Sequence, residues 1–119
     1  MAKKLILIVD DNVELLDALK DVLGDEYDLE FAASGRDALL KFEECHPALV
    51  LMDYKMPGMD GLETLRCIRV QAKTVPVIIM SAYDEITLMR DAIDSGANYY
   101  LSKPFELATI RATLADLAT

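Results

Sequence analysis

The sequence predicts an α/β fold in which a doubly wound parallel sheet carries helices on both faces. Short apolar runs rich in β-branched residues alternate with segments of helical periodicity along the 119 residues. The alternation gives five strand–helix units, whereas a closed barrel would need eight. The sheet is therefore expected to be open, with right-handed crossovers, and five strands fit the doubly wound strand order 2-1-3-4-5.

The five predicted strands fall into two kinds. Residues 5–9, 48–52 and 75–80 form continuous apolar runs, which is typical of parallel strands buried on both faces. Residues 27–33 alternate between polar and apolar side chains, which favours a place nearer the edge of the sheet. A short strand is predicted at 98–102.

The five predicted helices carry apolar residues at helical spacing, which we expect to face the sheet. They cover residues 13–24, 34–45, 61–70, 84–96 and 105–118. In the fourth helix the apolar residues are Ile86, Met89 and Ile93.

Helix ends are marked by capping residues. Asn12 and Gly24 are suited to cap the first helix, and Ser34 with Asp37 has the spacing of a capping box.

Length and composition exclude several classes of protein. We predict one domain over residues 1–119, large enough to bury a core without disulfides. A net charge of −9 argues against nucleic-acid binding and favours cationic partners or a bound cation. No apolar run approaches the ~20 residues of a membrane span. "MAKKLILIVDD" starts like a signal peptide, but its apolar run stops after five residues at two aspartates.

We therefore expect a cytoplasmic protein with no membrane contact. Cys45 and Cys67 are predicted to be reduced, semi-buried thiols, and His46 a loop residue.

Polar side chains follow four of the five predicted strands. Asp10 and Asp11 follow the first, Asp53 the third and Ser81 the fourth, and Lys103 comes shortly after the fifth. Taken singly, such residues are more often helix caps, strand-ending acids or surface lysines. In an open α/β sheet, however, the carboxyl ends of the strands share one edge, where ligands bind. The joint placement therefore favours a site.

The predicted site suits phosphoryl transfer. Three carboxylates this close repel one another unless a cation lies among them, and Mg²⁺, with Mn²⁺ as an alternative, accepts such oxygen ligands. A carboxylate nucleophile beside a divalent ion, a lysine and a hydroxyl is equipped to accept a phosphoryl group. The product would be an aspartyl phosphate.

Four motifs occur in order: "LIVDDN", "LVLMDYKMPGMDG", "VIIMSAYDE" and "YYLSKPF". From Leu5 to about Leu117 the chain resembles the receiver domain of bacterial two-component response regulators, the family of the sporulation phosphorelay and chemotaxis regulators. The resemblance implies a flavodoxin-like (βα)5 fold. It also implies a signalling phosphoacceptor, not an enzyme in its own right.

The resemblance assigns roles to the acids. Asp53 would be the phosphoacceptor. Asp11 and Asp53 would bind Mg²⁺ together with the backbone carbonyl of Lys55, and Asp10 would hold a metal-bound water.

It also assigns a switch. Ser81 and Lys103 would bind phosphoryl oxygens, and the Lys103–Pro104 bond would be cis. Tyr100 matches the aromatic residue that turns inward when Ser81 moves, and Tyr99 would face the other side of its strand. The loop at 81–87 would move with them.

Lys55 and Tyr83 lie two residues after Asp53 and Ser81. In the family these positions tune hydrolysis of the acyl phosphate, and we hypothesise that both side chains shield it from water. The alternative is that both are incidental residues of the rim.

The implied partners are a sensor histidine kinase or a histidine phosphotransfer protein as donor and a downstream protein target. The donor would dock near the first helix, where Val13 and Leu16 are either exposed or part of the core. The protein would be a monomer or a phosphorylation-dependent dimer.

Several alternatives stay open. The chain is a stand-alone regulator, a receiver fragment of a longer regulator, or a recombined receiver. A pseudo-receiver that signals without phosphorylation usually lacks one of the acids or the lysine, and none is lacking here. An aspartate-nucleophile phosphatase usually has a second aspartate where this chain has Lys55.

Overall fold

The computed structural model describes residues 3–82 and 86–117, and in this part of the chain strands and helices alternate strictly. The strands are β1 (Leu5–Val9), β2 (Asp28–Ala32), β3 (Leu49–Asp53), β4 (Val77–Ser81) and β5 (Tyr99–Ser102). The helices are α1 (Val13–Leu23), α2 (Gly35–Cys45), α3 (Gly61–Gln71), α4 (Ile86–Asp94) and α5 (Leu107–Leu117).

The strands form one parallel sheet in the order β2-β1-β3-β4-β5, as predicted. Val9, the last residue of β1, pairs with Met52 of β3. The residues that follow Val9 and Met52 therefore lie side by side at the carboxyl edge of the sheet. This register brings Asp10 next to Asp53.

Each face of the sheet has its own apolar core, because side chains alternate along a strand. One core joins Val9, Met52 and their neighbours to α2, α3 and α4. The other joins Ile8, Leu51 and their neighbours to α1 and α5. The runs of β1, β3 and β4 supply both cores, which explains why they are continuously apolar.

At their carboxyl ends, β3 and β4 each continue one residue beyond the predicted range and so include the first polar residue. Asp53 pairs with Met80, and Ser81 pairs with Ser102. Because these residues belong to the sheet, their backbone is held by its pairing. The side chains of Asp53 and Ser81 consequently start from fixed positions.

The predicted helix caps are confirmed. The side chain of Asn12 accepts hydrogen bonds from the backbone N–H groups of Glu14 and Leu15, and Ser34 Oγ accepts one from Asp37. Gly24 ends α1 through its N–H, which donates to Lys20, with a right-handed φ of −63°.

The prediction that Ile86, Met89 and Ile93 face the core is wrong. They are 75%, 40% and 48% exposed, and α4 turns Leu88 and Ala92 inward instead. The helix packs on β5, which is the edge strand of the sheet. This contact is narrow, and Leu88 and Ala92 are enough to fill it. The larger apolar stripe is left facing solvent.

The remaining predictions on single residues have mixed outcomes. Cys45 is partly buried and Cys67 is exposed, so the expectation of a semi-buried thiol is wrong for Cys67, which lies on the outer side of α3. His46 follows α2 in a left-handed conformation, φ 50°, as a loop residue. Across residues 3–82 and 86–117, no helix has the length and apolar character needed to span a membrane.

Candidate functional site

Four strands deliver polar residues to one edge of the sheet. Asp10 follows β1 and is fully buried, while Asp53 ends β3 and is 7% exposed. Ser81 ends β4 and is buried, and Lys103 follows β5. The structure therefore brings together the residues that the sequence predicted, with Asp11 exposed beside them.

Asp10, Asp11 and Asp53 form a compact acidic cluster. Each offers a carboxylate oxygen, and these oxygens lie within 4.8 Å of one another. Asp11 connects the cluster to solvent through an open cleft of about 520 Å³, which Asp53 and Lys55 also line. Oxygen-only donors in an open site suit a hard cation that keeps some of its water, as Mg²⁺ does.

Lys103 bridges two of the acids. Its Nζ lies 2.8 Å from Asp10 Oδ2 and 3.3 Å from Asp53 Oδ1. The other oxygen of Asp10, Oδ1, accepts a hydrogen bond of 2.9 Å from the backbone N–H of Asn12. Both oxygens of the buried Asp10 are thus paired, which fixes the direction in which Lys103 points.

The charges of the site act on one another. Burial raises the pKa of Asp53, and the nearby charge of Asp10 raises it further, against the opposing effect of Lys103. Burial alone would lower the pKa of Lys103, but its hydrogen bond to Asp10 and the charges of Asp10 and Asp53 raise it overall. Lys103 therefore stays an ammonium, while ionised Asp53 lacks enough positive charge around it.

Tyr100 is buried in the core shared with α2, α3 and α4, and Tyr99 is exposed. This confirms the prediction that the two rings lie on opposite sides of β5. The Lys103–Pro104 peptide bond is cis, as expected.

Other predicted residues are placed as follows. Lys55 is exposed and lines the cleft, and Tyr83 lies outside the described residues, as does part of the 81–87 loop. Val13 is 67% exposed, whereas Leu16 packs partly against the α1–α5 core. Of the two readings left open near the first helix, Val13 follows the exposed one and Leu16 the core one.

Three features of the site were not predicted. Asn12 orients Asp10 through its backbone as well as capping α1. Asp60 caps α3 by accepting a hydrogen bond of 2.9 Å from the backbone N–H of Glu63, and Gly61 contacts the backbone that follows Asp53. The spacing of Asp60 and Glu63 resembles a capping box and was a usable signal. The contact of Gly61 is tertiary and had none.

A five-stranded sheet of this order, with an acidic cluster and a bridging lysine at its carboxyl edge, defines a class of signalling domain. The sequence profile described as "Response regulator receiver domain" matches residues 6–115, and the chain belongs to this family. It is a receiver domain of two-component signalling.

Particular relatives agree with this assignment. Sporulation initiation phosphotransferase F of Bacillus subtilis (strain 168) is 39% identical over 112 residues, which cover 93% of this chain and 90% of that protein. The chemotaxis response regulator CheY4 of Vibrio cholerae has 28% sequence identity and a TM-score of 0.91, covering 98% of this chain and 99% of that one.

Some relatives are much longer. Regulatory protein AtoC of Escherichia coli (strain K12) is 40% identical over 103 residues, which cover 86% of this chain but 22% of AtoC. The chain therefore spans nearly all of one relative and less than a quarter of another.

Proposed function

We propose that this receiver domain accepts a phosphoryl group on Asp53 in a Mg²⁺-dependent reaction. The observation that carries the proposal is the joint geometry of the cluster: three acidic side chains have oxygens within 4.8 Å, and Lys103 contacts two of those side chains. Asp10 and Asp53 are buried, and the charge of Asp10 raises the pKa of Asp53 despite Lys103, so a bound cation would relieve the remaining repulsion. In this proposal residues 1–119 act as one signalling domain, not as an enzyme with its own substrate.

The residues present fit the metal. Asp11 and Asp53 would hold Mg²⁺, helped by the backbone carbonyl of Lys55, with Asp10 acting through a water molecule. When bound, the ion supplies positive charge that neutralises the acids and the incoming phosphoryl oxygens. Mn²⁺ has the same preference for oxygen ligands and is the alternative ion.

The donor is a phosphohistidine on a sensor histidine kinase or a histidine phosphotransfer protein. A carboxylate oxygen of Asp53 attacks phosphorus, forming an O–P bond while the N–P bond to the donor imidazole breaks. The imidazole nitrogen leaves with the bonding electron pair. Lys103 donates to one phosphoryl oxygen and Ser81 to another, since charge neutralisation and positioning dominate this chemistry.

Phosphorylation then changes the conformation. The phosphoryl group adds roughly one to two negative charges at Asp53, and a shift from ~1:99 to ~99:1 between two states needs about 5.5 kcal/mol. Charge-assisted bonds from Ser81 and Lys103 that form in one state alone supply part of it. Tyr100, on the strand beside Ser81, follows the movement.

The signal passes to a protein target through the α4–β5 face, defined by Ile86, Met89, Ile93 and Tyr99. These four side chains are exposed and apolar or aromatic, which is typical of a protein contact surface. The target is a downstream partner or a second copy of the domain.

The test is intact mass spectrometry after incubation with acetyl phosphate and Mg²⁺. We expect one phosphoryl adduct on the wild-type chain, no adduct on Asp53→Asn, and no adduct when EDTA replaces Mg²⁺. A wild-type chain that takes no phosphoryl group under conditions where its melting transition is intact would point to a module that signals without phosphorylation.

A further inference from the structure

The first turn of α3 lies directly against the peptide that follows Asp53. The backbone N–H of Gly61 donates a hydrogen bond of 2.7 Å to the carbonyl of Tyr54. A Cβ atom on Gly61 would lie 2.5 Å from the carbonyl oxygen of Asp53 and 2.9 Å from the Cα of Tyr54. Real Cβ atoms essentially never approach within 3.0 Å of such atoms. A side chain at Gly61 therefore requires the backbone of Asp53, or α3 itself, to move.

Helix α3 has little room to move away, because α2 presses on its other side. Thr64 is fully buried, and its Oγ1 donates a hydrogen bond of 2.9 Å to the carbonyl of Asp60. A Cβ atom on Gly35, the first residue of α2, would overlap Thr64 Oγ1 and lie 3.0 Å from Met59 Cβ. The close contacts at Gly35 and Gly61 thus hold the start of α3 between α2 and β3.

The opposite side of Asp53 is fixed as well. Asp53 pairs with Met80 in β4, and the N–H of Tyr54 donates a hydrogen bond of 2.8 Å to the carbonyl of Met80. The end of β3 is therefore held between β4 and the first turn of α3.

We propose that Gly61 is a positioning residue for phosphoryl transfer, which sets where the Asp53 carboxylate lies relative to Asp10, Asp11 and Lys103. This inference rests on the proposed function. Gly61 acts through the Asp53 peptide and touches neither metal nor phosphoryl group. A displacement of about 1 Å can cost on the order of a hundredfold in rate, because the reacting atoms must meet in a narrow geometry.

The experiment compares Gly61→Ala with the wild type in two measurements. The first is the rate of phosphorylation by acetyl phosphate at saturating Mg²⁺, followed by intact mass. The second is Mg²⁺ affinity, measured by calorimetry without any phosphodonor. We expect the rate of Gly61→Ala to fall about ten- to a hundredfold and its Mg²⁺ affinity to fall severalfold, with a cooperative melting transition retained.

Gly24→Ala is the matched control. A Cβ atom on Gly24 would lie 2.6 Å from the carbonyl oxygen of Lys20, so the substitution introduces a similar backbone contact at the far end of α1. Neither Gly24 nor Gly61 has a positive φ, so alanine is compatible with the backbone conformation at both positions. We expect Gly24→Ala to keep the wild-type rate and Mg²⁺ affinity even where its melting temperature changes as much as that of Gly61→Ala.

Wild-type rate and affinity in Gly61→Ala would overturn the inference, as would an equal loss in both variants. If the wild type binds Mg²⁺ but takes no phosphoryl group, the proposed function fails. The affinity comparison still decides whether Gly61 positions the carboxylate.

Gly35→Ala reaches the same contact from the outer side and serves if Gly61→Ala does not fold. We expect a smaller loss of rate, about threefold to tenfold, and partial recovery when Thr64→Ala removes the overlapping oxygen. A folded Gly35→Ala variant with wild-type rate and affinity would show that the contact does not hold Asp53.

Discussion

Lys103 is the side chain that joins the acidic cluster into a single unit. It contacts Asp10 and Asp53 at once and remains positively charged because those carboxylates raise its pKa. Lys103 does not offset the effects of burial and of the charge of Asp10 on Asp53, so ionised Asp53 destabilises the metal-free fold. The pKa of Asp53, raised by burial and by Asp10, expresses the same imbalance.

In metal-free buffer at pH 7, we expect Asp53→Asn to raise the melting temperature by about 2–5 °C. A carboxyl whose pKa is higher in the folded than in the unfolded chain destabilises the fold once pH rises through the folded pKa. The gain from asparagine should therefore shrink as pH falls through the raised pKa of Asp53 and vanish below the ordinary pKa of aspartate, where the group is protonated in both states. Differential scanning calorimetry in EDTA across this pH range checks it, and a lower melting temperature for the variant at pH 7 would contradict it.

Lys55 and Tyr83 are the residues that we expect to set the lifetime of the phosphoryl group. Lys55 is exposed at the cleft beside Asp53, and the sequence places Tyr83 two residues after Ser81. If both side chains shield the acyl phosphate from water, Tyr83→Ala and Lys55→Ala should each shorten its half-life severalfold. The half-life is read from intact mass after removal of acetyl phosphate. An unchanged half-life in both variants would mean that these residues are incidental to hydrolysis.

At the scale of elements, α4 shows how a helix can bury its smaller apolar stripe. Leu88 and Ala92 face the core while Ile86, Met89 and Ile93 face solvent. The turn that follows the C-terminal end of α4 is linked to α3 by Arg69. Its guanidinium donates two hydrogen bonds, of 2.8 and 3.0 Å, to the carbonyl of Gly96.

We expect Leu88→Ala to lower the free energy of unfolding by about 2–3 kcal/mol, because it removes buried apolar volume. Ile93→Ala removes an exposed side chain from the same helix and should change that energy by no more than about 0.5 kcal/mol. Urea unfolding of the two variants side by side measures both values. Equal losses would contradict the assignment of Leu88 to the core and of Ile93 to the surface.

Arg69 connects α3 to the segment between α4 and β5. Besides Gly96, it donates hydrogen bonds of 3.0 Å to the carbonyl of Ala72 and to Asn98 Oδ1, and burial lowers its pKa without removing its charge. We expect Arg69→Ala to cost about 2 kcal/mol in unfolding free energy, whereas Arg66→Ala, on the exposed side of α3, should cost almost nothing. Chemical denaturation measures both, and the phosphorylation rate should change little, since Arg69 lies at the opposite end of the strands from Asp53.

At the scale of the whole molecule, metal binding should appear as stability. A ligand that binds only the folded chain at ten times its dissociation constant stabilises the fold by about 1.4 kcal/mol. We therefore expect Mg²⁺ to raise the melting temperature by roughly 4 °C. EDTA should reverse the shift, and Asp53→Asn should remove most of it. A shift of the same size in Asp53→Asn would place the ion somewhere other than the acidic cluster.

The sheet and the edge that carries the site were predictable because each depends on a local pattern. Continuous apolar runs mark strands buried on both faces, and the first polar residue after each run marks the carboxyl edge. The orientation of α4 was not predictable, since two apolar stripes compete along Ile86–Asp94 and only packing on β5 decides between them. The approach of Gly61 to Asp53 joins residues whose contact appears only in the folded chain.

The two apolar cores lie on opposite faces of the sheet and are lined by different helices. Tyr100 lies in the core of α2, α3 and α4, whereas α1, with the exposed Val13 at its start, covers the other face of the sheet. If the donor docks at α1 and the target at the α4–β5 face, the sheet separates the two binding surfaces. The phosphodonor and the target would then bind surfaces that do not overlap. The domain would be phosphorylated even while a target protein is bound to it.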